Sequence, residues 1–122
     1  MKFAVYGTLR RGYSNNRVLK DASFIGEGLT QEEYRLTANG IPFVSRKNPV
    51  SRVKVEVFET EDPSIIDDVD SLEGHPRFYK REEIPVVMTD GEVVTAELYF
   101  CEGRELLNLI ESGDYADYRT RS

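Results

Sequence analysis

Between Arg52 and Glu59 the chain alternates without a break, with Val53, Val55 and Val57 on one side and Lys54 and Glu56 on the other. Successive side chains of an extended chain point to opposite faces, so this segment predicts a strand with one buried face. Shorter segments repeat the pattern. Residues 2 to 6 set Phe3 and Val5 on one face, and IPFVS after the turn signal Asn39-Gly40 reads as a brief strand. Residues 22 to 37 read as two short strands with a bend at Gly26 and Gly28. Residues 78 to 89 and 92 to 101 read as strands joined at Asp90-Gly91, a strong hairpin turn. The 122 residues fit one domain, 1–122, whose many short strands must share one core. With two or three helices beside them, they predict an α+β fold, a curled sheet or small barrel. Phe3, Phe24, Phe58 and Phe100 are expected in the core.

The helices have their own signals. Ser14 is placed to cap a short helix running to Lys20. Asp62-Pro63 is an N-cap followed by proline at the first helical position, and Gly74 is the matching stop. A last short helix is expected over Arg104 to Ile110. The polar tail SGDYADYRTRS, from about residue 112, is expected to be loosely held.

Composition narrows the function. The net charge of −6 disfavours a broad phosphate-binding surface, so no nucleic-acid partner is expected. Arg10-Arg11 and Arg46-Lys47 read as short solvated spots. No apolar run approaches the roughly 18 residues that span a bilayer, and MKFAVYGTLRRG reads as a first strand. The expectation is a cytoplasmic protein without a membrane partner. The chain has one cysteine, Cys101, and one histidine, His75. No internal disulfide can form, and no ligand spacing supports a metal site, so neither metal nor cofactor is expected. A Ser-His-Asp or Cys-His machine would rest on His75 alone. His75, before Pro76, reads as a turn residue and Cys101 as a packed one.

One carboxylate stands apart. The apolar residues of the Asp62 helix, Ile65, Ile66, Val69 and Leu72, span an arc of roughly 120° at about 100° per residue. Asp67, Asp68 and Asp70 fall outside that arc, whereas Glu73 falls inside it. Burial and the negative end of the helix dipole both raise a carboxyl pKa, which suits acid–base work near neutral pH. Periodicity alone leaves a second possibility open: Gly74 ends the helix early and Glu73 turns outward or pairs with Arg77 or Arg81. A second feature is Val5-Tyr6-Gly7-Thr8-Leu9, a strand end running into a glycine turn. Successive N–H groups in such a turn can form an anion nest. Gly12 is followed by Tyr13, so neither a P-loop nor a dinucleotide fingerprint is present.

Together these segments resemble the γ-glutamylcyclotransferase-like superfamily. Tyr6-Gly7-Thr8-Leu9-Arg10-Arg11-Gly12 resembles its YGTL(K/R)xG signature. Asp70-Ser71-Leu72-Glu73-Gly74-His75-Pro76, with Tyr79 and Arg81, resembles its LD-x-x-EG-x-P-x-x-Y-x-R stretch. Gly91 and the strand through Tyr99 match the hairpin that follows, and Ser112-Gly113-Asp114-Tyr115 resembles a C-terminal motif of many members. The resemblance implies a small mixed β-barrel with flanking helices, Glu73 as catalytic acid/base, and a substrate loop of Tyr6, Gly7, Thr8 and Leu9. Tyr79 and Arg81 could line the pocket or orient Glu73. The implied reaction closes a γ-glutamyl amide to 5-oxoproline and frees an amine, the substrate's own α-amine being the nucleophile.

The chain's length is nearest to members of the γ-glutamylamine cyclotransferase type, so the implied partner is a small γ-glutamyl amine or isopeptide, met by a monomer or weak dimer. Val55 stands where the family usually has glycine, which implies a narrowed pocket if that strand borders it. Two alternatives follow: a non-catalytic small-ligand binding module on the same fold, or a related enzyme removing a γ-glutamyl acyl group in a biosynthetic pathway.

Overall fold

The computed structural model describes the backbone of residues 1–121 and the side chains of residues 1–118. Strands β1 (Lys2–Val5), β2 (Ser23–Asn39), β3 (Ile41–Ser45), β4 (Ser51–Glu59), β5 (Lys80–Met88), β6 (Val93–Phe100) and β7 (Asn108–Leu109) form one sheet. Five of them close on themselves in the order β2-β4-β1-β6-β5, and β5 returns to β2 through Gly28↔Met88 and Thr30↔Val86. β1 runs parallel to β6, with Phe3 opposite Glu97, and the other pairings are antiparallel. The result is a mixed barrel with helices α1 (Pro63–Glu73) and α2 (Tyr115–Arg121) outside it.

Period-two alternation sorts side chains between two cores. Ala4 from β1 and Val53, Val55 and Val57 from β4 point into the barrel with Ile84, Val86 and Leu98. Phe3, Val5 and Phe58 point outward and are covered by Ile65 and Val69 of α1. Burying each such side chain contributes about 1.5–3 kcal/mol. The Asp62 carboxylate accepts the Ser64 N–H at 2.9 Å, and Gly74 ends α1 in the left-handed conformation at φ 68°.

Four sequence expectations differ from the fold. Residues 23–39 are one strand, not two, with register shifts between Phe24 and Gly26 and between Leu29 and Glu33. Gly28 marks where β5 closes the barrel: a Cβ there would meet the Val87 carbonyl oxygen at 2.7 Å. Arg104–Ile110 is no helix but a turn leading into β7, because side chains of Arg35 and Thr37 capture the carbonyls of Glu105 and Arg104. The short 3₁₀ turn at Asn16–Leu19 lacks a side-chain cap, and Ser14 plays no such part. Phe24 is 40% exposed, lying outside the barrel under the Arg11 guanidinium.

The tail is also more firmly held than its polarity implies. Tyr115 is fully buried in the barrel core cluster, and α2 begins with it. The tail side chains from 119 onward, and Ser122 altogether, lie outside the described residues. No helix among the described residues is long and apolar enough to cross a membrane.

Candidate active site

A cavity of about 140 Å³ opens between the C-terminal end of β1, the C-terminal end of α1 and the start of β3. That is close to the ~150 Å³ of an engineered cavity able to hold a benzene ring. Tyr6, Gly7, Thr8 and Leu9 form one wall, Ile41 and Pro42 another, and Glu73, Phe78 and Tyr79 a third. Segments nearly 70 residues apart in sequence thus meet at one opening.

Glu73 reaches the cavity from the last helical turn. The helix stays intact to its capping glycine, so the carboxylate keeps the direction set by Val69, four residues earlier. Among the described residues neither Arg77 nor Arg81 pairs with it, and no donor bonds its side chain. Burial without compensation pushes its carboxyl up to about 7. Among the described residues that line the cavity it is the only Asp, Glu, His, Lys or Arg. Burial first, and then the Glu73 charge, raises the Tyr79 phenol, which donates to the Pro42 carbonyl at 2.6 Å.

The loop after β1 is tied from behind. Arg10 N–H donates to the Gly7 carbonyl at 3.0 Å and Asn15 N–H to that of Thr8 at 3.0 Å. The Asn15 side-chain amide donates to Thr8 Oγ1 at 2.9 Å. The Gly7, Thr8 and Leu9 carbonyls and the Thr8 hydroxyl are therefore engaged, the Leu9 carbonyl by the Asn16 side chain, whereas the N–H groups of Gly7, Thr8 and Leu9 meet no protein acceptor among the described residues. Gly7 does not adopt a positive φ; it is required for space, because a Cβ would stand 2.5 Å from Pro42 Cγ.

Several expectations are corrected. Arg81 does not line the cavity; its guanidinium is held by Asp70 at 2.8 Å and Glu97 at 2.6 Å. Tyr99 Oη donates to the same Asp70 at 2.6 Å. Burial pushes the Asp70 carboxyl up, but the Arg81 and Tyr99 hydrogen bonds outweigh it and hold it low. Arg81 thus braces the helix end that carries Glu73. Val55 faces the barrel interior and not the cavity. Arg10 is buried rather than solvated.

Sequence reasoning also missed Ile41, Pro42 and Tyr99 as wall residues, and no local signal marks them, since β-pairing alone brings them to the opening. Among the described residues no group of three or more His, Cys, Asp and Glu side chains is placed to hold a metal ion.

The chain is thus a mixed barrel in which one carboxyl, Glu73, shares a small cavity with a loop whose amides have no protein acceptor among the described residues. Comparison with known proteins specifies the family. Residues 3–117 match the model of the family described as "Gamma-glutamyl cyclotransferase, AIG2-like". A Methanocaldococcus jannaschii protein bearing the name "Putative gamma-glutamylcyclotransferase" is 40% identical over 94% of this chain and 95% of its own. The human γ-glutamylaminecyclotransferase is 34% identical over 76% of this chain and 66% of its own length. The crystal structure of an AIG2-like protein from Mus musculus superposes with a TM-score of 0.79 at 29% identity, covering 93% of this chain and 87% of that one. The chain belongs to the AIG2-like γ-glutamyl cyclotransferase family.

Proposed function

We propose that this protein converts a γ-glutamyl amide of an amine to 5-oxoproline and the free amine, with Glu73 as general acid/base. The observation that carries this reading is the placement of Glu73. It is a lone carboxyl, raised by burial to about 7, across a small cavity from the unpaired amides of Gly7, Thr8 and Leu9. The human relative's name supports the amine class of leaving group.

The reaction needs no protein nucleophile. The substrate's α-ammonium gives a proton to Glu73, and the resulting amine attacks the γ-carbonyl carbon. As that C–N bond forms, the carbonyl oxygen takes negative charge, which the free amides of the Tyr6–Leu9 loop receive; removing one such donor typically costs 10²–10³ in rate. The ring nitrogen loses a second proton, the bond to the departing nitrogen breaks, and both protons end on the released ammonium, the first through Glu73. Holding nitrogen and carbonyl together in a cavity this small contributes on the order of 7–11 kcal/mol.

The test is to incubate the protein with a panel of γ-glutamyl amines. Release of 5-oxoproline with equimolar amine is the expected result. Binding without turnover would instead mean a ligand-binding module, and release of free glutamate a hydrolase. The feature behind the binding alternative, Val55, lies in the barrel interior and leaves the cavity untouched.

A further inference from the structure

Two consecutive residues of the C-terminal segment bond to residues that adjoin opposite walls of the cavity in sequence. Asp114 Oδ1 accepts from Arg10 Nη1 at 2.8 Å, and Arg10 directly follows the Tyr6–Leu9 loop. The Tyr115 hydroxyl donates to the Gly40 carbonyl at 2.8 Å, and Gly40 directly precedes Ile41 and Pro42 of the other wall. The Tyr118 hydroxyl accepts from Gly40 N–H at 3.0 Å, so the turn is gripped at both its N–H and its C=O. The Tyr115 ring is fully buried and stacks with Tyr118 at 5.8 Å between centroids. From beneath, Glu56 on β4 accepts the Arg11 N–H at 2.8 Å and sits 3.8 Å from Arg10 Nε. Gly113 carbonyl accepts from Lys54 N–H at 2.8 Å, which fastens the segment to the barrel.

We infer that this C-terminal segment braces both walls of the cavity, with Asp114 and Tyr115 as positioning residues for the reaction. Neither residue lines the cavity. The inference rests on the reading of the Tyr6–Leu9 loop as the substrate loop. The physical case is one of precision. The loop's amides have no protein partner to fix them, so their aim depends on what holds the loop's far end. Arg10 is 8% exposed, and an ion pair in that setting fixes direction as well as distance. A displacement near 1 Å at such a site costs about 10²-fold in rate. Asp114 also accepts the Ala116 N–H at 2.9 Å, so the start of α2 and the loop share one carboxylate.

The test is Asp114→Asn, which keeps the Oδ1 that Ala116 and Arg10 share and removes its negative charge, and with it the ion pair to Arg10. Two readouts are taken: kcat for 5-oxoproline release, and amide exchange at Arg10 and Asn15 relative to Val55 and Leu98 in the barrel. A selective rise in exchange of at least tenfold with a fall in kcat of at least tenfold is expected. A uniform rise across loop and barrel, or a kcat within twofold of the unaltered protein, would overturn the inference. If Asp114→Asn does not fold, Tyr115→Phe decides: it keeps the buried ring and removes the hydroxyl that donates to the Gly40 carbonyl. A fivefold or greater fall in its kcat, with the thermal midpoint within 3 °C, supports the brace, and an unchanged kcat overturns it. Should the unaltered protein release no 5-oxoproline, the cyclotransferase reading fails by itself, and the exchange ratio alone then settles the brace.

Discussion

Pro42 packs against Gly7 so closely that a methyl group on Gly7 would stand 2.5 Å from Pro42 Cγ. Pro42 cannot retreat freely, because its carbonyl is bound by the buried Tyr79 hydroxyl at 2.6 Å. The two walls of the cavity are thus in contact at their base, and that contact holds the Gly7 end of the loop as the Arg10–Asp114 pair holds its far end.

Gly7→Ala should therefore push the loop off Pro42. Overpacking of this kind costs about 1–3 kcal/mol, and the expected fall in kcat/KM is about 100-fold. Denaturant unfolding and steady-state kinetics together check it. An alanine variant with full activity would mean that the loop tolerates displacement and does not align the reacting groups.

Glu73→Gln should abolish turnover and stabilise the fold at alkaline pH. Glutamine keeps the shape but cannot take the ammonium proton. The sign for stability follows from linkage. The folded carboxyl is raised to about 7, so the native state binds the proton more tightly than the unfolded chain does. Glu73 therefore lowers stability as pH climbs from the ordinary carboxylate range through 7, and the penalty is complete above that. After screening at the open mouth it should be on the order of 1–3 kcal/mol. The variant should unfold at a higher temperature than the unaltered protein at pH 8.5 and at the same temperature at pH 4. More than a tenth of the original activity in Glu73→Gln would remove Glu73 from the mechanism.

The same group sets the pH dependence of the reaction. Only ionised Glu73 accepts a proton, so kcat/KM should fall as pH drops below about 7. An acid limb centred near 4.5 instead would show a solvated carboxylate, or a different one, at work.

Much of this site is legible in the sequence because local rules govern it. Asp62-Pro63 and Gly74 bound α1, and the spacing from Val69 marks Glu73, but its direction, which periodicity alone leaves open, is settled by the helix staying intact to its cap. The alternation in β4 and the Asp90-Gly91 turn are equally local. What sequence does not show is set by closure of the barrel. Gly26 and Gly28 look like breaks between strands, yet Gly28 is where β5 approaches too closely for any side chain. Arg81 looks like a pocket residue, but Asp70 and Glu97, from α1 and β6, claim it only after folding. Tyr115 sits in a polar stretch that gives no sign of burial, because its contacts lie some 75 residues away at Gly40. Arg10 is hidden for the same reason, through Asp114.

The central claim is that the substrate's own α-amine closes the ring. Mass analysis of products from matched free and N-acetyl γ-glutamyl amines tests it most directly. The free substrate should give 5-oxoproline and the amine. The acetylated one, which has no basic nitrogen to attack the γ-carbonyl, should give no product at all. Release of N-acetylglutamate from the blocked substrate at a comparable rate would contradict the account, because it would require attack from outside the substrate.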